Sequence, residues 1–132
     1  MLSIFFYEGG VSLFILRVVI GAIFIVHGWP KLRNHKKTVE WFGASGFKPG
    51  WFWAPLVGIL EFFGGIAILL GILVQPLVVL FGLQFITIIL WKLAKRMPFA
   101  GGWEIDLLIL AALIVLFFLG GGWYSFGHVL FL

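Results

Sequence analysis

Four apolar runs of near membrane-crossing length dominate this 132-residue chain: Val11 to Gly28, Ala54 to Val74, Pro76 to Leu93 and Trp103 to Leu119. A helix needs about 20 apolar residues to cross ~30 Å of hydrocarbon, and in lipid its backbone polar groups have to be satisfied within the segment. The expected fold is therefore all-α, a single domain over residues 1–132 built as a four-transmembrane-helix bundle. Only 11% of residues are charged, against about a quarter in soluble domains, which excludes an ordinary soluble protein. Met1 to Gly10 carries Glu8 and no basic residue, so it lacks the positive start of a cleaved leader, and the first run is expected to be retained.

Eight of the nine Lys and Arg residues fall in two segments, Lys31, Arg33, Lys36, Lys37 and Lys48, then Lys92, Lys95 and Arg96. Four crossings place both segments on one side and both termini on the other. Because cytoplasmic loops hold the excess of Lys and Arg, the basic loops are expected in the cytoplasm and the termini outside, in the cytoplasmic (inner) membrane of a prokaryote. Cations at the ends of apolar runs suit lipid headgroups; nucleic acid is not an expected partner.

Pro55 fits the first turn of the second helix, where its missing N–H costs nothing. Gln75-Pro76 reads as the reversal between the second and third spans, which would otherwise form one helix too long for the bilayer. Thr38 to Trp53 mixes Trp41, Phe42, Phe47, Trp51, Phe52 and Trp53 with Lys48, which predicts a short interfacial segment between helices 1 and 2. Trp91, Trp103 and Trp123 read as interface anchors.

Ionisable groups within a span cost about 2.5–3.5 kcal/mol each on insertion scales, so they turn toward the bundle interior and find partners. Glu61 has Gly58, Gly64 and Gly65 at helical spacings of three and four, a nearly bare face that admits a neighbouring helix. It is the leading candidate for a ligand-binding residue; the plainer reading is a carboxylate that only bonds a neighbouring helix. Arg17 shares a face with Gly21, Phe24 and Gly28 and lies roughly 10 Å from the outer end of its span at ~1.5 Å per residue. Glu8, Tyr124 and Ser125 compete with Glu61 as its partners, and a structural anchor is as good a reading of Arg17 as a functional one.

His27 ends the first span on the basic side, in His27-Gly28-Trp29-Pro30-Lys31-Leu32, and Glu104 and Asp106 open the fourth on the same side. Glu104 and Asp106 lie about 200° apart around a helix, so only one faces inward. The small Ala111 on its face favours Glu104. His27, Lys31, Glu61 and Glu104, with Gln84 from the third span, are thus expected to converge. Such a set offers a proton-exchanging imidazole, carboxylates and an amide, suited to the carbonyl or hydroxyl of a quinone-like ligand. A metal is not expected, since neither Glu-X-X-His nor His-Glu-X-X-His occurs. His35 reads as a solvated loop residue and His128 as an outer-surface one. No covalently bound cofactor is expected, and the absence of Cys excludes thiol chemistry in this chain. Nucleophile-elbow, P-loop and dinucleotide motifs are missing, and Gly120-Gly121-Gly122 reads as a helix stop.

Arg17 with Gly21, the run His27-Gly28-Trp29-Pro30-Lys31-Leu32, the stretch from Leu56 to Gly65 with Leu70-Gly71, and Gly120 to Ser125 together resemble the DoxX family. These are small four-helix membrane proteins related to the DoxD subunit of thiosulfate:quinone oxidoreductase. The likeness covers nearly the whole chain, but Phe126-Gly127 stands where the family continues with Leu-Asp. The resemblance implies a prokaryotic inner-membrane protein tied to redox or sulfur metabolism, sometimes beside a soluble partner. The expected function is accordingly a membrane subunit of a redox system that binds a quinone-like ligand or a partner oxidoreductase, with a homo-oligomer as a further option. A non-enzymatic assembly, scaffold or chaperone-like protein is the alternative, and a transporter or channel is a third class.

Overall fold

The computed structural model describes residues 10–119. Five α-helices follow one another: α1 (Gly10–Arg33), α2 (His35–Ser45), α3 (Gly50–Leu70), α4 (Val74–Ala94) and α5 (Glu104–Leu119). A short wide turn, Phe99–Trp103, leads into α5. No strand occurs among the described residues. Among the described residues, four helical segments are long and apolar enough to cross a membrane: Val11–Arg33, Gly50–Leu70, Val74–Ala94 and Phe99–Leu119. The four-span bundle with a short helix between the first two spans is therefore the architecture observed.

Helix boundaries depart from the expected ones where proline was read as punctuation. α1 continues through Pro30 to Arg33, so Lys31 is a helical residue and not a loop one. α3 starts at Gly50, which places Trp51, Phe52 and Trp53 in its first turn and Pro55 a turn deeper than expected. The reversal between α3 and α4 falls at Gly71–Leu73, ahead of Gln75-Pro76. Gly71 adopts a left-handed φ of 78°, its N–H bonds the Ile68 carbonyl, and the Ile72 N–H bonds that of Ala67. This double closure ends a helix without leaving carbonyls orphaned, while Pro76 fits the first turn of α4, where its missing N–H has no acceptor to lose. Gly46 with Phe47 ends α2 in the same way, and Arg96 with Met97 ends α4 so.

α1 and α3 form the most extensive helix pair, followed by α4 and α5. The α1–α3 seam is antiparallel and lined by glycine: Gly21 lies against Gly65 and Leu69, Gly28 against Glu61 and Phe62, and Gly58 against Lys31 and Leu32. Without side chains there, the two backbones approach closely, and in lipid such dispersion contact replaces the hydrophobic effect as the force between helices. α3 and α4, although joined by the short Gly71–Leu73 turn, meet mainly where Phe81 and Leu77 pack over Gly64. Phe24 then closes the bundle, stacked on Phe81 at 3.8 Å and edge-on to Phe85 at 5.6 Å. Ile68, Leu113 and Leu116 complete this fully buried layer.

The outward faces of α4 and α5 are apolar and exposed, among them Leu83, Leu90, Leu108 and Phe118. In a membrane these faces meet acyl chains. α2 packs on the start of α3, where Gly50 leaves room for the Val39 carbonyl, and the Trp91 indole N–H of α4 bonds the Ser45 carbonyl at 3.0 Å. The short helix is thereby fastened to two spans at the basic end of the bundle.

Candidate functional site

Glu61 sits in the middle of α3 and is 4% exposed. Its glycine neighbours divide the work around it. Gly58 and Gly65 admit α1, and Gly64 admits the Phe81 ring of α4. The carboxylate consequently lies between two helices and takes one partner from each: Lys31 Nζ donates to Oε2 at 2.6 Å, and Gln84 Nε2 donates to Oε1 at 2.6 Å. Lys31 Nζ also reaches the His27 carbonyl at 3.3 Å, and a quarter of its side chain remains exposed. The charges of Lys31 and Glu61 cancel, which is the condition under which an ion pair tolerates such a setting. Gln84 contributes a further group. Its Oε1 is buried and has no hydrogen-bond partner among the described residues.

Three of the residues expected to converge therefore do so, Lys31, Glu61 and Gln84, and two do not. His27 is exposed, its Nδ1 hydrogen-bonded to the Ile23 carbonyl of its own helix at 2.9 Å. Because Gly28 occupies the seam against α3, the neighbouring His27 is rotated about 100° off it. The expectation of an inward Glu104 is corrected as well. Glu104 is exposed and its Oε1 accepts the Gly101 N–H at 3.0 Å, closing the start of α5 as a reciprocal helix-start bond does.

Asp106 is the acid that turns inward, pairing with Lys92 Nζ at 2.6 Å while Lys92 also donates to the Gly102 carbonyl at 3.1 Å. Asp106 shares the buried stripe of Ile109, Leu113 and Leu116, whereas Leu108, Ala111 and Val115, on the face of Glu104, are exposed. This second ion pair was not singled out from the sequence. The available signal was Asp106 standing three residues before Ile109, opposite a lysine at the end of the preceding span. Asp106→Asn is expected to lower the thermal midpoint in detergent clearly more than Glu104→Gln, since it weakens a part-buried pair and not an exposed cap; equal shifts would contradict the assignment.

Arg17 is 1% exposed in the other half of the bundle, its guanidinium 5.4 Å from the Phe14 ring centroid. Glu61 lies against Gly28, eleven residues along α1 from Arg17, and it is Lys31, not Arg17, that pairs with the carboxylate. Glu8, Tyr124, Ser125, the Gly120-Gly121-Gly122 stop, Trp123 and His128 lie outside the described residues.

Four apolar helices, a glycine seam and an interior Lys–Glu–Gln cluster define a multi-pass membrane protein of the small four-helix bundle class. The chain belongs to the DoxX family, whose model matches residues 12–95. It is 35% identical to "Putative oxidoreductase CatD" of Bacillus subtilis over 96 residues, 73% of this chain and 69% of that protein. It is 40% identical to "Inner membrane protein YqjF" of Escherichia coli over 65 residues, 49% of this chain and 48% of that one. No solved structure matches. Arg17, Lys31, Glu61 and Gln84 all fall inside the matched family region, and the Asp106 side of the second ion pair falls beyond it.

Proposed function

We propose that the protein is the membrane subunit of a redox system and that its Lys31–Glu61–Gln84 cluster binds a quinone-like ligand. The observation that carries this reading is the buried Oε1 of Gln84, which has no hydrogen-bond partner among the described residues, beside an interior ion pair. Such an acceptor is expensive to leave empty, and a hydroxyl donor satisfies it. Lys31 Nζ supplies a donor for a carbonyl from the side on which it is exposed. Glu61, held between the two, fixes Lys31 and Gln84 in position for the ligand. A quinone supplies a carrier of two electrons and two protons, and the electrons come from a partner oxidoreductase or from the ligand itself. The naming of one relative as an oxidoreductase supports the redox setting, and that of another supports the inner membrane. In that membrane the basic loops face the cytoplasm and the termini face outward.

Saturable binding of a short-chain quinol to the purified protein in nanodiscs, followed by tryptophan fluorescence, is the direct test. Gln84→Leu is expected to weaken it about tenfold, the scale of one hydrogen bond to a buried group. Absence of saturable binding, or binding indifferent to Gln84→Leu, would remove the reading.

One observation favours a second reading, a scaffold that docks partner helices. Both oxygens of Glu61 are already engaged within the chain. On that reading Glu61→Gln changes which proteins co-purify and leaves quinol binding absent in every variant.

A further inference from the structure

Two of the eight cations in the basic segments are neutralised within the fold, Lys31 by Glu61 and Lys92 by Asp106. The other six, Arg33, Lys36, Lys37, Lys48, Lys95 and Arg96, are exposed and form no ion pair among the described residues. Antiparallel packing of α1 on α3 and of α4 on α5 brings all six to one end of the bundle. Among the described residues, only Glu40 and Glu104 stand there as carboxylates outside an ion pair, two against the six. The end surface therefore carries a positive excess that nothing in the described chain offsets.

Part of that excess borders a built aromatic ledge. Trp41 of α2 meets Trp91 of α4 edge-on at 6.0 Å, and the Trp91 indole is pinned by its bond to the Ser45 carbonyl. Lys95 Nζ stands 5.9 Å from the Trp91 ring centroid, Arg96 follows it, and Lys37 lies one helical turn before Trp41. Indole rings at a helix end sit at the level of headgroups and ester groups, and Lys and Arg beside them meet phosphate.

We propose that this ledge is a binding site for an anionic phospholipid, with the Trp41–Trp91 pair against its glycerol and upper acyl region and Lys37, Lys95 and Arg96 around its phosphodiester. Charge selects the occupant. A zwitterionic lipid brings an ammonium of its own into a surface that already has surplus cations, whereas an anionic one does not. The site is separate from the Glu61 cluster and does not depend on what that cluster binds.

The test uses the full chain in nanodiscs of equimolar phosphatidylglycerol and phosphatidylcholine with matched acyl chains, extracted into detergent and assayed for retained lipid by mass spectrometry. Wild type is expected to retain phosphatidylglycerol in preference to phosphatidylcholine. Lys37→Gln, Lys95→Gln and Arg96→Gln are each expected to weaken that retention about fivefold, as removal of one membrane-proximal cation does, without altering phosphatidylcholine. Equal retention of the two lipids by wild type overturns the proposal, as does a triple variant that retains as much phosphatidylglycerol as wild type. Displacement by inorganic phosphate equimolar with the lipid also overturns it, by assigning the cations to free anion. The three side chains are exposed, so an unchanged thermal midpoint in phosphatidylcholine alone accompanies each supporting result. Lys37→Gln, lying on α2 outside the spans, carries the test on its own should the triple variant not fold.

Discussion

Replacing Gly28 by valine is expected to abolish the closed α1–α3 pair. A Cβ at position 28 falls on the Phe62 backbone nitrogen and within 2.9 Å of the Glu61 carbonyl carbon and the Phe62 Cα. Those are backbone atoms of a continuous helix and do not yield as a flexible side chain does. Relief requires the two helices to separate, which also opens the approach of Gly21 to Gly65 and lengthens the Lys31–Glu61 bond. Overpacking ordinarily costs 1–3 kcal/mol, and one that parts two backbones belongs at or above about 3 kcal/mol. The variant should elute as aggregate from size-exclusion chromatography in a detergent that keeps wild type monodisperse. Gly82→Ala is the matched control: a Cβ there meets nothing within 4 Å, and the change is expected to be neutral or to stabilise by up to about 1 kcal/mol through helix propensity. A folded, wild-type-like Gly28→Val protein would disprove the seam.

The second large effect concerns which end of the interior ion pair is removed. Lys31→Met leaves a carboxylate that is 4% exposed with only the Gln84 amide for company, and Glu61 has no route to water from the middle of α3. Glu61→Leu leaves an ammonium with a quarter of its side chain already exposed, on a four-carbon stem that can carry it to the headgroups. Breaking a buried pair from one side costs about 3–5 kcal/mol when the remaining charge is trapped. The lysine substitution is therefore expected to reach that range and the glutamate substitution to fall short of it, at about 1–2 kcal/mol. Combining the two should recover most of the loss, because neither charge is then left alone. Chemical denaturation in micelles, read by circular dichroism, decides the order. If Glu61→Leu is the more damaging, Lys31 is more deeply held than its exposure indicates.

Most of the architecture was legible because apolar length is a strong signal in a membrane: each span is announced by its own run of residues. The interior placement of Glu61 was legible too, since glycines three residues before it and three and four after it mark a face that another helix can approach closely. Its convergence with Lys31 was expected, but not the helical geometry that achieves it. Lys31 reads as a loop residue if Pro30 is taken to end α1, and only the further turn of helix to Arg33 brings its side chain back toward Glu61. The choice between Glu104 and Asp106 was beyond the sequence for a different reason. α5 is apolar on every face, so no amphipathic stripe distinguishes the side that meets helices from the side that meets lipid. The same holds for Pro76 against Gly71. Both are breakers, and which one turns the chain depended on where α3 had begun.

The pairing of α1 with α3, and not with its successor in the chain, bears on how the protein is made. α1 enters the bilayer ahead of α3 and has to remain there until α3 follows. By then Lys31 is already stationed near the headgroups, and the glycine face of α1 is open. Glu61, the costliest residue of α3 to insert, thus has its counter-charge waiting and need not cross unaccompanied. The order of synthesis places the cation before the anion, and the seam that later joins the two helices doubles as a chaperone for its own acidic segment.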